Sequence, residues 1–177
     1  KIPAWQIPQA IHFKQVISMG QALSVKPVEI TLSDTAFLQY TGGTTGVSKG
    51  AILTHRNMIA NLVQAETWFK DMLMYGKEVI ITALPLYHIF ALTICGLMGM
   101  RIGGMNILIP NPRDIPGMVK ELSKYKFNML PAVNTLYNGL LNNPDFAKLD
   151  FSALKLCNGG GMAVQRAVND RWKQVTG

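Results

Sequence analysis

The stretch Tyr40 to Gly50, Tyr-Thr-Gly-Gly-Thr-Thr-Gly-Val-Ser-Lys-Gly, gathers the residue types that hold a phosphate chain. Gly42, Gly43 and Gly46 permit positive φ and close approach of backbone, so that successive N–H groups can converge on oxyanions. Thr41, Thr44, Thr45 and Ser48 add hydroxyl donors, and Lys49 adds a mobile positive charge. A Walker A loop is excluded, because that pattern needs Gly-Lys-Ser/Thr opening a helix, whereas Lys49 is followed by Gly50 and a short strand-like run, Ala51 to Leu53. The adjacency of Gly42 and Gly43 excludes the dinucleotide fingerprint Gly-x-Gly-x-x-Gly. A merely flexible hairpin accounts for the glycines but not for the threonines and lysine that accompany them.

Further candidates stand at the ends of apolar runs. Tyr87 and His88 leave a run closed by Pro85, and Pro131 and Ala132 leave another. Asn158 leads into Gly159, Gly160 and Gly161, where bare backbone lets a flat ligand lie close. A single glycine suffices for a strand-to-helix turn, so three in a row favour ligand contact. His88 reads either as a satisfied hydrogen-bonding residue beside an apolar helix or as a donor to a substrate carboxylate, and its position favours the second.

The 177 residues are 49% hydrophobic, which suits one domain with a sizeable core. Lysine and arginine number 17 against 10 acidic residues, but they are scattered, which suits an anionic ligand or a membrane surface as well as nucleic acid and reads first as a solvated basic face. Cys95 and Cys157 are far apart, with no CxxC and no histidine cluster, which indicates neither a disulfide framework nor a zinc site and favours a reducing, cytoplasmic compartment. The apolar run Ile89 to Met100 falls short of the roughly 20 residues that span a bilayer and reads as a buried helix.

The elements that must position these residues follow from periodicity. Residues 1–33, punctuated by Pro3, Pro8 and Pro27, read as a connecting segment, and residues 34–177 as the central part of a larger domain. Strands are expected at 35–40, 51–53, 79–84, 106–109, 127–130 and 154–157. Thr54 and Asp114 are candidate helix caps, a further helix covers Val133 to Leu141, and Gly159–Gly161 are expected to open the last one, which carries Val164, Val168 and Trp172. Strand and helix alternate four times, which predicts an α/β fold: a three-layer α/β/α sandwich on a mainly parallel sheet. Ligands of such sheets bind outside the carboxyl ends of the strands.

Thr41-Gly42-Gly43-Thr44-Thr45-Gly46-Val47-Ser48-Lys49-Gly50 resembles the phosphate loop of adenylate-forming enzymes, and Leu84-Pro85-Leu86-Tyr87-His88-Ile89-Phe90 is similar to their second motif. Gly159-Gly160-Gly161-Met162 stands where their nucleotide loop would be. With Asn111 to Gly117 and Leu149 to Ser152, the resemblance is closest to bacterial long-chain fatty acid–CoA ligases and covers about Asp34 to Gly177, a fragment of their large N-terminal domain. It implies acyl-adenylate formation from a fatty acid and ATP, then transfer to coenzyme A. Thr41, Gly42, Gly43, Thr44, Thr45, Gly46 and Lys49 would hold the β- and γ-phosphates, Thr44 would also meet Mg²⁺, His88 would border the acyl and adenylate site, and Gly159 to Gly161 would line the adenine. Ser48 stands where many relatives carry proline, which removes no ligand-binding group.

The same resemblance places the family's Tyr-Gly-x-Thr-Glu motif, ribose-binding aspartate and C-terminal lysine domain beyond Gly177. The chain by itself is therefore expected to bind ATP weakly and to turn nothing over. An aryl- or amino-acid-activating domain is the near alternative, and a basic membrane- or nucleic-acid-binding module the distant one. Peripheral membrane contact, homodimer formation and acyl chain length stay open on sequence alone.

Overall fold

Val79, Ile80, Ile81 and Thr82 form a β-branched run that suits a strand covered on both faces. In the computed structural model, which describes residues 6–41 and 48–177, this run is β3 (Val79–Thr82), and its successive side chains enter two different cores. Ile80 packs with Cys95, Met98 and Met129, while Ile81 joins Phe127, Leu130, Leu140 and Trp172. The period of two along a strand thus divides the protein into layers.

Two units are distinguished. The first, up to Thr31, contains helix α1 (Phe13–Gln21), none of whose residues is buried. The second, Leu32–Gly177, holds the sheets and the remaining helices. It opens on an antiparallel hairpin of β1 (Thr35–Thr41) and β2 (Lys49–Thr54), paired Tyr40 to Gly50 and Thr41 to Lys49. Thr54 then caps α2 (His55–Phe69) in a reciprocal capping box: the Asn57 N–H donates to Thr54 Oγ1, and the Thr54 N–H donates to Asn57 Oδ1. After β3 come α3 (Ile89–Ala91), a π-helical stretch Leu92–Leu97 and α4 (Met98–Arg101), without a break. The π stretch departs from the continuous α-helix expected there. Its sequence, Leu-Thr-Ile-Cys-Gly-Leu, holds two β-branched residues and a glycine, all of low α propensity.

Gly103, with φ +68°, turns the chain into β4 (Met105–Leu108), which pairs parallel with β3. The remaining elements are α5 (Ile115–Leu122), α6 (Asn134–Leu141) and α7 (Arg166–Thr176). The expected strands at 127–130 and 154–157 contract to single bridging residues: Ile80 pairs parallel with Met129, Met129 with Leu156, and Ala132 with Gly159. Side chains replace part of the ladder. The Val79 N–H donates to the amide oxygen of Asn128, and the Asn128 amide nitrogen donates to the Ala153 carbonyl. The parallel order is nevertheless β4, β3, Met129, Leu156, with α2, the π stretch and α4 packed on the Ile80 side and α5, α6 and α7 on the Ile81 side. The three-layer α/β/α reading therefore describes the second unit, with an antiparallel hairpin added.

Asp114 caps α5 as expected, accepting from the Gly117 N–H at 3.0 Å. An alanine at 114 leaves that donor without its partner and is expected to destabilise the protein by about 1 kcal/mol, with asparagine nearly neutral, read as the shift in urea midpoint.

Burial also governs two thiols. Cys95 and Cys157 are each pushed up to about 11 by burial, opposed by the Thr82 hydroxyl and the Trp172 side chain respectively. In an unfolded chain both ionise near pH 8.5. A raised folded pKa keeps its stabilisation below the unfolded value and loses it as pH rises through the folded one. The urea midpoint is therefore expected to fall progressively between about pH 8.5 and pH 11, and iodoacetamide at pH 8 to label both thiols far faster in urea than in the native state.

Candidate active site

The parallel sheet delivers three exits to one edge: Tyr87-His88 beyond β3, Pro131-Ala132 beyond Met129, and Asn158 to Gly161 beyond Leu156. The hairpin is tied to the first of these. The Gln39 side chain on β1 donates to the Tyr87 carbonyl at 3.0 Å, which brings the strand that enters the Gly/Thr loop to the His88 loop. Gln39 went unnoticed in the sequence, where a lone amide in Ala-Phe-Leu-Gln-Tyr was the only signal.

Thr41 and Lys49 face each other across the hairpin at the mouth of that loop, and Lys49 is exposed. Gly42, Gly43, Thr44, Thr45 and Gly46, with the metal role expected of Thr44, lie outside the described residues. Among the described residues no group of three or more His, Cys, Asp or Glu is gathered as a metal site requires.

His88 sits at the N-cap of α3, exposed, and its Nδ1 accepts from the Phe90 N–H at 3.2 Å. The reading of His88 as a residue satisfied by a local hydrogen bond therefore describes its Nδ1.

The glycine triplet divides into three local requirements. A Cβ on Gly159 would lie 2.3 Å from Val164 Cγ2, one on Gly160 would lie 2.7 Å from the Phe90 ring, and Gly161 has φ +78°. At 159 and 160 protein side chains occupy the space that a side chain would need, and at 161 the backbone conformation itself asks for glycine. The expectation that these glycines open a helix is corrected: α7 begins only at Arg166, after an extended Gln165 whose N–H donates to the Asn134 side chain at 2.9 Å. A residue with positive φ cannot start an α-helix, so the favourable helix terminus is five residues away from the loop.

A cleft of about 650 Å³, lined by Ala83, Pro85, Ile109, Arg113, Val133 and Leu136 among others, opens at the same carboxyl edge on the α5 and α6 side. Sequence reasoning did not find it, although Pro110, Pro112 and Arg113 clustering at a strand end was a usable signal. Its walls are mostly apolar, with one guanidinium.

The described residues thus bring the end of β1, the histidine exit and the glycine exit to one edge of a parallel α/β sheet, the edge at which such sheets bind their ligands. The profile of the AMP-binding enzyme family matches residues 4–177, so the chain belongs to that family. It is 54% identical over 176 residues to a long-chain-fatty-acid–CoA ligase of Yersinia pestis and 55% identical over 176 residues to one of Escherichia coli O6:H1, in both cases over 99% of this chain. The chain spans 31% of the length of these relatives. Among solved structures it superposes on ATP-bound MatB from Rhodopseudomonas palustris with a TM-score of 0.78 at 24% identity, covering 92% of this chain and 31% of that one. The N-terminal domain of FACL13 from Mycobacterium tuberculosis gives 0.78 at 23% identity, covering 91% and 40%. Both likenesses concern the fold. No helix among the described residues is long and apolar enough to cross a membrane.

Proposed function

We propose that this chain is the phosphate-gripping and adenylate-bordering part of an ATP-dependent long-chain fatty acid–CoA ligase. The observation that carries the reading is the 54–55% identity to long-chain-fatty-acid–CoA ligases over 99% of the chain. ATP supplies an α-phosphorus for the carboxylate to attack and a pyrophosphate to leave, and coenzyme A then takes the acyl group. The chain's own residues bind and orient. Thr41 to Gly46 and Lys49 would hold the β- and γ-phosphates, and Thr44 would offer its hydroxyl to Mg²⁺, which would offset the charge on the leaving pyrophosphate. Preorganised donors of this kind act where charge develops on the leaving group. The described residues fit a polyphosphate in one respect: Lys49 is exposed at the loop mouth, directly across the ladder from Thr41. His88 offers an Nε2–H to the carboxylate or the α-phosphate, and the backbone of Gly159 to Gly161 borders the adenine. The apolar helical run after His88 suits an aliphatic acid.

The test is ATP–pyrophosphate exchange by the full-length protein with palmitate, 4-coumarate, an amino acid or no acid. Palmitate-dependent exchange, followed by palmitoyl-CoA formation when coenzyme A is added, is expected. Exchange that responds only to the aryl or amino acid replaces the fatty acid, and exchange with none of them overturns the reading. The 177 residues alone are expected to show no exchange, because they span only 31% of the length of the relatives they match.

A further inference from the structure

Gly160 and His88 are 72 residues apart, yet one side chain touches the requirements of both. An ideal Cβ on Gly160 would lie 2.7, 2.8 and 3.0 Å from Cε1, Cζ and Cδ1 of Phe90, which is ring overlap and not the far end of a flexible chain. The Gly160 backbone is in turn held to the sheet: its N–H donates to the Ala132 carbonyl at 3.2 Å, next to the parallel bridge between Ala132 and Gly159. The backbone of Phe90 is the donor that satisfies His88 Nδ1 at 3.2 Å.

We propose that Phe90 is a positioning residue: its ring seats on the bare backbone of Gly160, and its amide thereby holds His88 as the Nε2–H tautomer, with the donor nitrogen free for the substrate. The physical steps are few. A neutral imidazole carries one N–H, and accepting at Nδ1 puts that proton on Nε2. The acceptor bond exists only while α3 keeps its place, and α3 is the N-terminal turn of the unbroken helical run 89–101, where the first N–H groups have no partner within the helix and the chain frays most readily. The seat on Gly160 anchors that turn to the sheet, so Gly160 is required by Phe90 first and only secondarily by a ligand. The catalytic meaning of the donor rests on the ligase reading above, whereas the seat and the tautomer do not.

The test uses the full-length protein carrying G160A, F90A and G160A/F90A. In the unsubstituted protein, ¹⁵N-resolved NMR of the imidazoles, with His88 assigned by its loss in H88N, is expected to show His88 protonated at Nε2. G160A pushes the ring off its seat and is expected to mix the two tautomers, and to lower the kcat of palmitate-dependent exchange about tenfold with a smaller change in the KM for ATP. Removing the ring in F90A takes the seat away without crowding Gly160 and is expected to mix the tautomers to the same extent, so that G160A/F90A is no worse than either single variant. If Gly160 is bare for the ligand instead, G160A raises the KM for ATP, and F90A leaves His88 protonated at Nε2. That outcome overturns the proposal, as does an Nδ1-protonated His88 in the unsubstituted protein, which remains measurable even where G160A does not fold. Absence of exchange in the unsubstituted protein refutes the ligase reading alone, because the tautomers are read without turnover.

Discussion

Replacing Lys155 by methionine is expected to destabilise the protein by about 3–5 kcal/mol, a large share of a domain's total stability. Glu78 immediately precedes β3, and its side chain is fully buried. One carboxylate oxygen accepts from Lys155 Nζ at 2.6 Å and from the Met74 N–H, while the other, Oε2, has no hydrogen-bond partner among the described residues. Lys155 is itself three-quarters buried and is the only cation paired with this carboxylate among the described residues. Methionine matches the aliphatic length of lysine but removes the charge, so a carboxylate is left in the core with a single backbone donor. The pair is costly to break and of modest net worth, because both charges gave up their hydration to form it. The double variant E78M/K155M is therefore expected to recover most of the loss, with urea midpoints compared at unchanged slope. A Lys155→Met cost within about 0.5 kcal/mol, the range of ordinary surface changes, would show that the pair is not the tie between β3 and the Leu156 region that its geometry describes.

The second large effect is on turnover. In the full-length protein, Lys49→Ala is expected to lower kcat of palmitate-dependent exchange about 10²-fold, the scale on which a single preorganised donor to a developing charge acts. Lys49 opens β2 opposite Thr41, so its backbone is pinned by the hairpin ladder while its side chain remains exposed at the loop mouth. Truncation removes the charge without disturbing the strand, so the urea midpoint should not move. Arginine restores a charge but not the compact ammonium, and is expected to recover only part of the rate. If Lys49→Ala leaves kcat intact and raises only the KM for ATP, the lysine contributes uniform binding and not stabilisation of the departing pyrophosphate.

These effects differ in how far they could be anticipated from residue types. Lys49 was legible at once, because a lysine after three glycines and three threonines has few structural uses, and its spacing from Gly46 and Gly50 excluded the common nucleotide loops. The caps at Thr54 and Asp114 were equally legible, since each is a local bond to an amide three residues on. The Glu78–Lys155 pair was not. It joins residues 77 positions apart, and no local pattern distinguishes a buried carboxylate from an exposed one before the strands are aligned.

The glycine triplet shows where local reading stops. Three consecutive glycines read as bare backbone for a ligand, but protein side chains occupy the space beside Gly159 and Gly160, and a positive φ asks for glycine at 161. What they come close to depends on which exits the sheet places side by side. Phe90 arrives at Gly160 because β3 and the Leu156 region are held parallel by Met129 between them, whereas Val164 folds back on Gly159 within five residues. The π stretch and the delayed start of α7 have the same origin, since apolar spacing reports which residues are buried but not how the backbone ladder is wound to bury them. Residue types and spacing by themselves determined the layered α/β class and the helix caps, because periodicity and a bond to an amide three residues on are read within a few residues. Tertiary structure alone decided that a phenylalanine ring would claim the space at Gly160 and hold the histidine, because that contact exists only once distant strands have paired.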